Sequence, residues 1–414
     1  MLIRFAMENV RSVWGSVELS MVAVDDRPEV RRPEGLSVGL LPVAGIFGAN
    51  ASGKSNILTG MEWLSSAVSD SLRWGDEIPV QPFAFGDGPT TDSSFAVDLE
   101  VDGVRVEYLL DLRPEHVTYE GLFHYPEGRR RRVFERERVA GQNETVPSHR
   151  LILQRGLGRL SGARAQLSER VLALTIMRRF DDPLISAVSD QIGALQPLSV
   201  SRLPRADWWA TGPTDFFLDA EPSAKRDRAL ALLQLADLGV SDVVYDDRQV
   251  LTSEGALLVG RVPRLVHEAG GERRELEMRD ESHGTWAWFL LIGSVLTALD
   301  HGQVMLFDEI DASLHPLLTA RLVELFTDPD SNPRGAQLVF TSHDTHLLDQ
   351  LNRDEIWFTE KNEGGATRLG SLAEFNGSRV RRRARVEASY LSGRYGALPD
   401  LFRPDLLRVL GTAR

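Results

Sequence analysis

An eight-residue segment constrains the fold of this chain more than any other feature. It matches the pattern G-x-x-x-x-G-K-[ST] at every fixed position and reads Gly48-Ala49-Asn50-Ala51-Ser52-Gly53-Lys54-Ser55. In this pattern the glycines let backbone N–H groups point at phosphate oxygens, the lysine reaches the β- and γ-phosphates, and the serine hydroxyl ligates Mg²⁺. The segment therefore predicts a nucleotide site in which Lys54 contacts phosphate and Ser55 contacts the metal ion.

The residues around this loop predict a strand before it and a helix after it. Val43-Ala44-Gly45-Ile46-Phe47 is an apolar run typical of a buried strand, and a helical pattern extends from Asn56 to about Val68. The loop then lies at a helix N-terminus, whose dipole favours phosphate. The alternative is a chance turn rich in glycine and serine, and the strand–loop–helix context argues against it.

Composition and charge exclude several classes of protein for this chain. Its 414 residues allow two or three domain-sized units, and the lack of cysteine excludes disulfides, a cysteine nucleophile and a Cys-x-x-Cys zinc hook. A net charge of −13 argues against a protein that coats nucleic acid, so such a contact needs a local patch. No signal peptide is evident, and the longest apolar run, Thr285 to Leu299, is too short to span a bilayer. We therefore expect a cytoplasmic protein without membrane contact.

Alternation and turn signals predict antiparallel strands after the loop helix. The runs Phe95–Val101 and Val104–Leu110 flank Asp102-Gly103, which is the strongest short hairpin signal, and strands at about 116–125 and 131–139 follow. Together these runs predict an antiparallel β-subdomain.

Period-3.6 apolar spacing predicts helices in the middle of the chain, without the heptads of a coiled-coil arm, at Ser161–Phe180, Pro183–Leu195 and Ser223–Leu238. Short strands are expected over 241–278 and a long helix over about 284–300. The predicted organisation has three segments. Residues 1–140 form an N-terminal lobe with the phosphate loop and the meander of antiparallel strands, residues 141–265 form a mainly helical insertion lobe, and residues 266–414 complete the first lobe.

A second apolar strand ends in two carboxylates. Val304-Met305-Leu306-Phe307 is followed by Asp308 and Glu309. At such a strand end Asp308 can hold Mg²⁺, and Glu309 can polarise the water that attacks the γ-phosphate. Alternatively, the two acids are solvated residues without a function at a strand end. The phosphate loop earlier in the chain argues against this interpretation.

A third apolar strand, Leu338-Val339-Phe340-Thr341, leads into Ser342-His343-Asp344. A histidine at this point can hydrogen-bond the γ-phosphate. A lone histidine at a strand end is more often an ordinary surface residue, but its place after a phosphate loop and an acidic strand favours the functional interpretation.

The segment Glu281-Ser282-His283-Gly284-Thr285 precedes the predicted long helix. Serine and glycine at a helix N-terminus can bind phosphate. Capping of the helix by Ser282 is the alternative, and the two roles are compatible.

This order of motifs resembles the ABC-type ATPases. Asp308-Glu309 runs into Ile310-Asp311-Ala312-Ser313, which is similar to their D-loop, and His343 matches their switch histidine. Gly48-x-Asn50-x-Ser52-Gly53-Lys54-Ser55-Asn56 is similar to the SMC, RecF and OLD-like branch, and the resemblance is closest to prokaryotic RloA-like ATPases, many of them tied to anti-phage defence.

The resemblance implies an α/β fold, namely a P-loop ABC-type ATPase head with an antiparallel β-subdomain and a helical insertion lobe. It implies ATP and Mg²⁺ as cofactors, Glu309 and His343 as catalytic residues, and Ser55 and Asp308 as metal ligands. The nucleotide-binding residues that it implies are Gly48, Asn50, Ala51, Ser52, Gly53, Lys54, Ser55, Asn56, Ser282 and Gly284. It also implies a homodimer, or a higher oligomer, in which ATP lies between the loop of one protomer and Ser282 and Gly284 of the other.

Two departures from the family pattern stand out. The order of elements places the glutamine loop in Leu172–Ser186, but that segment carries Arg178 and Arg179, and Gln81 and Gln154 are poorly positioned. OLD proteins append a Toprim nuclease, whereas only about 70 residues follow His343 here, too few for such a domain. We therefore expect a separate effector, a nuclease or toxin, as partner.

Three functions remain open from the sequence. The first is a regulatory ATPase of a defence system that gates the effector. The second is a RecF- or SMC-like DNA-repair ATPase that acts on DNA directly, and the third is the nucleotide-binding subunit of a transporter. The missing glutamine loop, the meander and the helical insertion argue against the third.

Other segments have weaker signals. Arg129–Arg132 with Arg136 and Arg138, and Arg381–Arg383, are basic runs that could contact nucleic acid, or could be charged edges that prevent strand pairing. Trp208-Trp209 and Tyr390–Pro399 are either partner contacts or parts of the core.

Overall fold

The computed structural model describes residues 1–139, 148–154, 158–198, 223–236, 239–251, 257–312, 314–374 and 386–391. These residues form one sheet of seven strands, one of six and one of three, together with several helices. A phosphate loop between a buried parallel strand and a helix, beside a large antiparallel sheet, confirms the predicted α/β fold class.

The strands are, in chain order, β1 (Leu2–Glu8), β2 (Val17–Ser20), β3 (Val43–Gly48), β4 (Ser93–Val101), β5 (Val104–Leu112), β6 (Val117–His124), β7 (Arg131–Val139), β8 (Ser148–Leu153), β9 (Pro197–Leu198), β10 (Val240–Leu251), β11 (Leu257–Ala269), β12 (Glu272–Glu277), β13 (Val304–Phe307), β14 (Gln337–Thr341), β15 (Ile356–Lys361) and β16 (Thr367–Ser371). The helices are α1 (Lys54–Asp70), α2 (Ala173–Met177), α3 (Pro183–Gly193), α4 (Ala224–Ala236), α5 (His283–His301), α6 (Pro316–Thr327) and α7 (Val386–Leu391).

The seven-stranded sheet is antiparallel, in the order β2-β1-β4-β5-β6-β7-β8. It contains the predicted meander. Asp102 and Gly103 join β4 to β5 with φ values of 49° and 78°, so both residues have the positive φ that an Asp-Gly hairpin turn requires. The three-stranded sheet, β10-β11-β12, is also antiparallel and confirms strands over 241–278, but β10 and β11, with 12 and 13 residues, are longer than the short strands predicted there.

The six-stranded sheet has the order β16-β15-β3-β14-β13-β9, and all its neighbours are parallel except β16 with β15. Parallel strands end at the same edge of a sheet. The loop after β3 therefore lies beside the residues that follow β13 and β14, which brings the three predicted motifs together.

This sheet separates two hydrophobic clusters. In β3 the side chains of Ala44 and Ile46 belong to the cluster under the seven-stranded sheet, whereas Val43 and Phe47 belong to the cluster around α5. Successive side chains of a strand point to opposite faces, so a strand covered on both faces is apolar at every position. This explains the uninterrupted apolar run before the phosphate loop.

The predicted helices of the middle segment divide between these clusters. α2 and α3 pack with α1, and α4 packs on α5. The helix predicted over Ser161–Phe180 contains only the short α2 between 3₁₀ turns, whereas those predicted at 183 and 223 are confirmed as α3 and α4. The division into three segments stays a prediction. In the part of the chain that the structure describes, no helix has the length and apolar character needed to cross a membrane.

Candidate functional site

The phosphate loop connects β3 to α1, and its glycines occupy positions that other residues fill poorly. Gly53, directly before α1, has a φ of 107°, and a Cβ atom there would overlap the side chain of Thr367. Gly48 has a φ of 151°, and a Cβ atom there would lie 2.5 Å from the carbonyl oxygen of Thr359. Positive φ and close backbone approach both favour glycine, which is why the loop can curl against β15 and β16.

Lys54, the first residue of α1, is held at the mouth of the loop. Its Nζ donates hydrogen bonds to the carbonyl oxygens of Gly48 at 2.9 Å and Ala49 at 3.1 Å, and lies 3.5 Å from Nδ1 of His343. Burial lowers the pKa of Lys54, and the carboxylates of Asp311, Glu309 and Asp308 oppose that shift. The ammonium group is thus placed where the loop would present it to a phosphate.

Ser55 and Asp308 meet although they come from different elements. The Ser55 hydroxyl donates to Oδ1 of Asp308 at 2.9 Å, and the Thr341 hydroxyl donates to the same oxygen at 2.7 Å. A hydroxyl and a carboxylate within hydrogen-bond distance are both oxygen donors, the type of ligand that Mg²⁺ prefers. The two predicted metal ligands therefore fit a shared Mg²⁺ ion.

Glu309 has a left-handed backbone with a φ of 54°. Such a conformation costs a residue other than glycine about 1–3 kcal/mol and persists where surrounding contacts fix it. Here the Glu309 N–H donates to the Thr341 hydroxyl at 2.7 Å, and the next N–H, of Ile310, donates to the Thr341 carbonyl at 3.1 Å. The turn aims the exposed Glu309 side chain into the cleft beside Lys54.

His343 follows β14 and is exposed at the same cleft. Its backbone N–H donates to both carboxylate oxygens of Asp311, at 3.1 and 3.2 Å. Since Asp311 lies in the segment after the acidic strand, this contact ties that segment to the histidine. The imidazole Nδ1 lies 3.5 Å from Nζ of Lys54, so both side chains would be near the terminal phosphate of a bound nucleotide.

The cleft has a volume of about 850 Å³ and is lined by Asn50, Ala51, Gly53, Lys54, Ser55, Asn56, Glu309, Asp311, Ala312, His343 and Lys361. Most of these positions were predicted as site residues. Gly48, Ser52 and Asp308 lie behind this lining, where the Ser52 hydroxyl is 2.6 Å from that of Thr359. Lys361, at the end of β15, was missed, because no local pattern marks a single lysine on a strand.

A second group that the sequence did not reveal supports the loop. Asn56 donates from its side chain to the Ser12 hydroxyl at 2.5 Å, and Ser12 lies 2.7 Å from the Thr367 hydroxyl. Thr367 in turn donates to the carbonyl oxygen of Ser52 at 2.8 Å. These contacts join the turn after β1 and the start of β16 to the phosphate loop.

Ser282 and Gly284 lie outside this lining. Ser282 is the N-cap of α5, and its hydroxyl accepts a hydrogen bond from the Thr285 N–H at 3.0 Å. The capping interpretation is therefore confirmed. Both positions retain some exposure to solvent, so the start of α5 is accessible to a second molecule.

The segment expected to hold a glutamine loop lies far from the cleft. Within Leu172–Ser186, the Thr175 hydroxyl donates to the carbonyl oxygen of Val68, near the far end of α1, at 2.8 Å. Fourteen residues of helix separate Val68 from Lys54, which is about 20 Å. The two strands beside the acidic strand β13 are β14 and β9, and the Asp308 N–H donates to the carbonyl oxygen of Leu198 in β9. The expectation for Leu172–Ser186 was wrong because this segment packs on α1.

Much of the first basic run is paired with acids. Arg130 bonds to Glu107 and lies over the ring of Phe123, and Arg132 pairs with Glu135. Arg136 is fully buried and lies opposite Glu120, 3.6 Å away, in the β6–β7 ladder. Three of the six arginines of this run are therefore engaged with acids of the same sheet. Arg381–Arg383, Trp208-Trp209, Ser313 and most of Tyr390–Pro399 lie outside the described residues.

A family model described as "AAA domain, putative AbiEii toxin, Type IV TA system" matches residues 43–349. No curated protein sequence matches the chain. Among solved structures, "Crystal structure of the SmcHead bound to the C-winged helix domain of ScpA" is similar, with 13% identity and a TM-score of 0.44 over 89% of this chain and 97% of that chain. A likeness this distant carries no information about function.

Proposed function

This chain belongs to the AAA domain family whose description names the AbiEii toxin and the Type IV TA system, and we propose that it binds and hydrolyses ATP with Mg²⁺. The observation that carries the proposal is the 2.9 Å hydrogen bond from Ser55 to Asp308 at a cleft that is lined by Ser55, Lys54 and Glu309. A phosphate loop, an acidic strand end and an exposed carboxylate side by side are the parts that phosphoryl transfer to water needs.

Each residue has a defined role in this proposal. The loop N–H groups and Lys54 bind the phosphates, and Ser55 and Asp308 hold Mg²⁺. When bound, the ion neutralises charge on the phosphate oxygens. Glu309 polarises the attacking water as a general base, and His343 contacts the γ-phosphate through its imidazole. The hydrogen bond from the His343 N–H to Asp311 holds this residue in place.

A second copy of the chain completes the site in our proposal. Ser282 and Gly284, which do not line the cleft of their own chain, sit at the N-terminus of the 19-residue helix α5. A helix of this length carries a positive end that favours phosphate. ATP bound between the cleft of one protomer and α5 of its partner would stabilise a closed dimer, which hydrolysis then releases.

We propose that this cycle regulates a separate effector, a nuclease or toxin, in prokaryotic anti-phage defence. The family description names a putative toxin and a toxin–antitoxin system, which is in keeping with a role in such a defence system. The RecF- or SMC-like alternative requires a DNA-binding surface. Arg130, Arg132 and Arg136, three of the six arginines of the first basic run, are paired with acids, which disfavours that run as the surface.

The direct test is phosphate release from ATP by the purified chain, with Mg²⁺ and then with excess EDTA. We expect turnover that requires Mg²⁺ and a chain that binds ATP in preference to AMP. Release that is equal with and without the metal would contradict the proposal. An electrophoretic mobility assay with duplex DNA at physiological salt tests the RecF- or SMC-like alternative. That alternative predicts that the chain shifts the DNA band in a manner that depends on ATP.

A further inference from the structure

A single hydroxyl group connects the two acids that follow β13. The Thr341 hydroxyl lies 2.7 Å from Oδ1 of Asp308 and 2.7 Å from the backbone nitrogen of Glu309. Thr341 is the last residue of β14, and its exposed fraction is 0%. No solvent competes for these two contacts, so the hydroxyl fixes the relative placement of the two acids.

The direction of both hydrogen bonds is determined by chemistry. A backbone N–H can only donate, so the Thr341 oxygen accepts from Glu309. The hydroxyl proton is then directed to Oδ1 of Asp308, which accepts it. The hydroxyl thereby holds Glu309 in its left-handed conformation and at the same time holds the oxygen of Asp308 that Ser55 also contacts.

We propose that Thr341 is a positioning residue for ATP hydrolysis, an inference that rests on the proposed function. If Ser55 contacted a metal ion in place of Asp308, Asp308 would lose one of the two hydroxyl donors described here, and Thr341 would keep the carboxylate oriented. The same hydroxyl keeps Glu309 aimed into the cleft. Through one hydroxyl group, Thr341 therefore links the proposed metal ligand Asp308 to the proposed general base Glu309, and it does so from a buried position behind the two acids.

Two substitutions separate this role from a general effect on folding. Thr341→Val preserves the side-chain shape but removes the hydroxyl, whereas Thr341→Ser retains the hydroxyl and loses a methyl group. Thr175→Val is a matched control, because Thr175 is also buried and its hydroxyl also accepts one bond, from Ser71 at 2.7 Å, and donates one, to the Val68 carbonyl at 2.8 Å. It lies near the far end of α1, away from the acids.

The experiment measures kcat and KM for ATP, ATP affinity in EDTA, and the melting temperature of each variant. We expect Thr341→Val to lower kcat by about 10- to 100-fold, the usual cost of removing a partner that orients a metal ligand, with metal-free ATP affinity unchanged. Thr341→Ser should stay within a few-fold of the parent chain. In the Glu309→Gln background, Thr341→Val should cause little further loss, since residues that act as a unit are not additive.

The inference is overturned if Thr341→Val loses no more kcat than Thr175→Val, or if Thr341→Ser is as impaired as Thr341→Val. A kcat loss that the melting temperature fully explains would also overturn it. These results differ from a failure of the proposed function, in which the parent chain itself shows no Mg²⁺-dependent hydrolysis or keeps it in Glu309→Gln.

Discussion

The Ser55 hydroxyl donates a hydrogen bond to Oδ1 of Asp308 at 2.9 Å, across a sequence separation of 253 residues. The contact exists because β3 and β13 are parallel and lie on either side of β14, so all three strands end at one edge. It places a serine from the phosphate loop and a carboxylate from the acidic strand where one hard cation can bind both.

Removing this hydroxyl should affect the metal and not the phosphate contacts. We expect Ser55→Ala to lose most of the gain in ATP affinity that Mg²⁺ gives the parent chain, because one of two proposed protein ligands is absent. Titration of ATP binding at increasing Mg²⁺ measures this. Ser69→Ala, an exposed serine of the same helix, is the control and should behave like the parent chain.

Lys54 should dominate the affinity for nucleotide. Lys54→Ala removes a charge-assisted contact to phosphate, and we expect ATP affinity to fall by about 10- to 100-fold. Lys225→Ala is the control, since Lys225 is an exposed lysine of α4. Calorimetric titration compares the two variants, and equal affinities would exclude Lys54 as the phosphate contact.

Glu309→Gln should separate binding from turnover. The amide keeps the size of the side chain but cannot accept a proton, so kcat should fall by about 100-fold or more while ATP still binds. The closed dimer should then accumulate with ATP, which light scattering after gel filtration detects. Turnover at the parental rate would show that another group acts as the base.

The folded chain should lose stability at acidic pH because of His149 in the seven-stranded sheet. Burial, with the positive charge of Arg136 beside it, lowers the pKa of His149 to about 4, and Nε2 of the ring lies 3.0 Å from Nη2 of Arg136. The unfolded histidine titrates near pH 6.5, so between these values the unfolded chain binds more protons and stability is lost as pH falls. Melting temperatures between pH 8 and 5 should fall less for His149→Gln than for the parent chain, and equal slopes would contradict this.

Local patterns were sufficient to predict the loop, the acidic strand end and the hairpin at Asp102-Gly103. Each of these depends on a few adjacent residues and on the rule that parallel strands end together. These patterns were therefore sufficient to predict that Lys54, Ser55 and Glu309 lie at one edge of the sheet.

Contacts between distant strands were not predictable in the same way. Ser12, Thr341 and Thr367 act through hydroxyl groups that reach the site only because β1, β14 and β16 surround it. Arg136 was interpreted as part of a charged surface, but the β6–β7 register places it opposite the buried Glu120. Register and strand order are set by the whole core, and a run of arginines does not reveal its partners.

We propose that ATP is hydrolysed in a site shared by two copies of the chain, and mixing two inactive variants tests this proposal most directly. Ser282→Asp keeps an N-cap for α5 but places a carboxylate where the partner's phosphate would lie, and Glu309→Gln disables the base. Each variant alone should be inactive. Since a random 1:1 mixture forms half mixed dimers, each with one complete site, we predict recovery of about a quarter of the parental turnover. A mixture no more active than the separate variants would contradict the shared site.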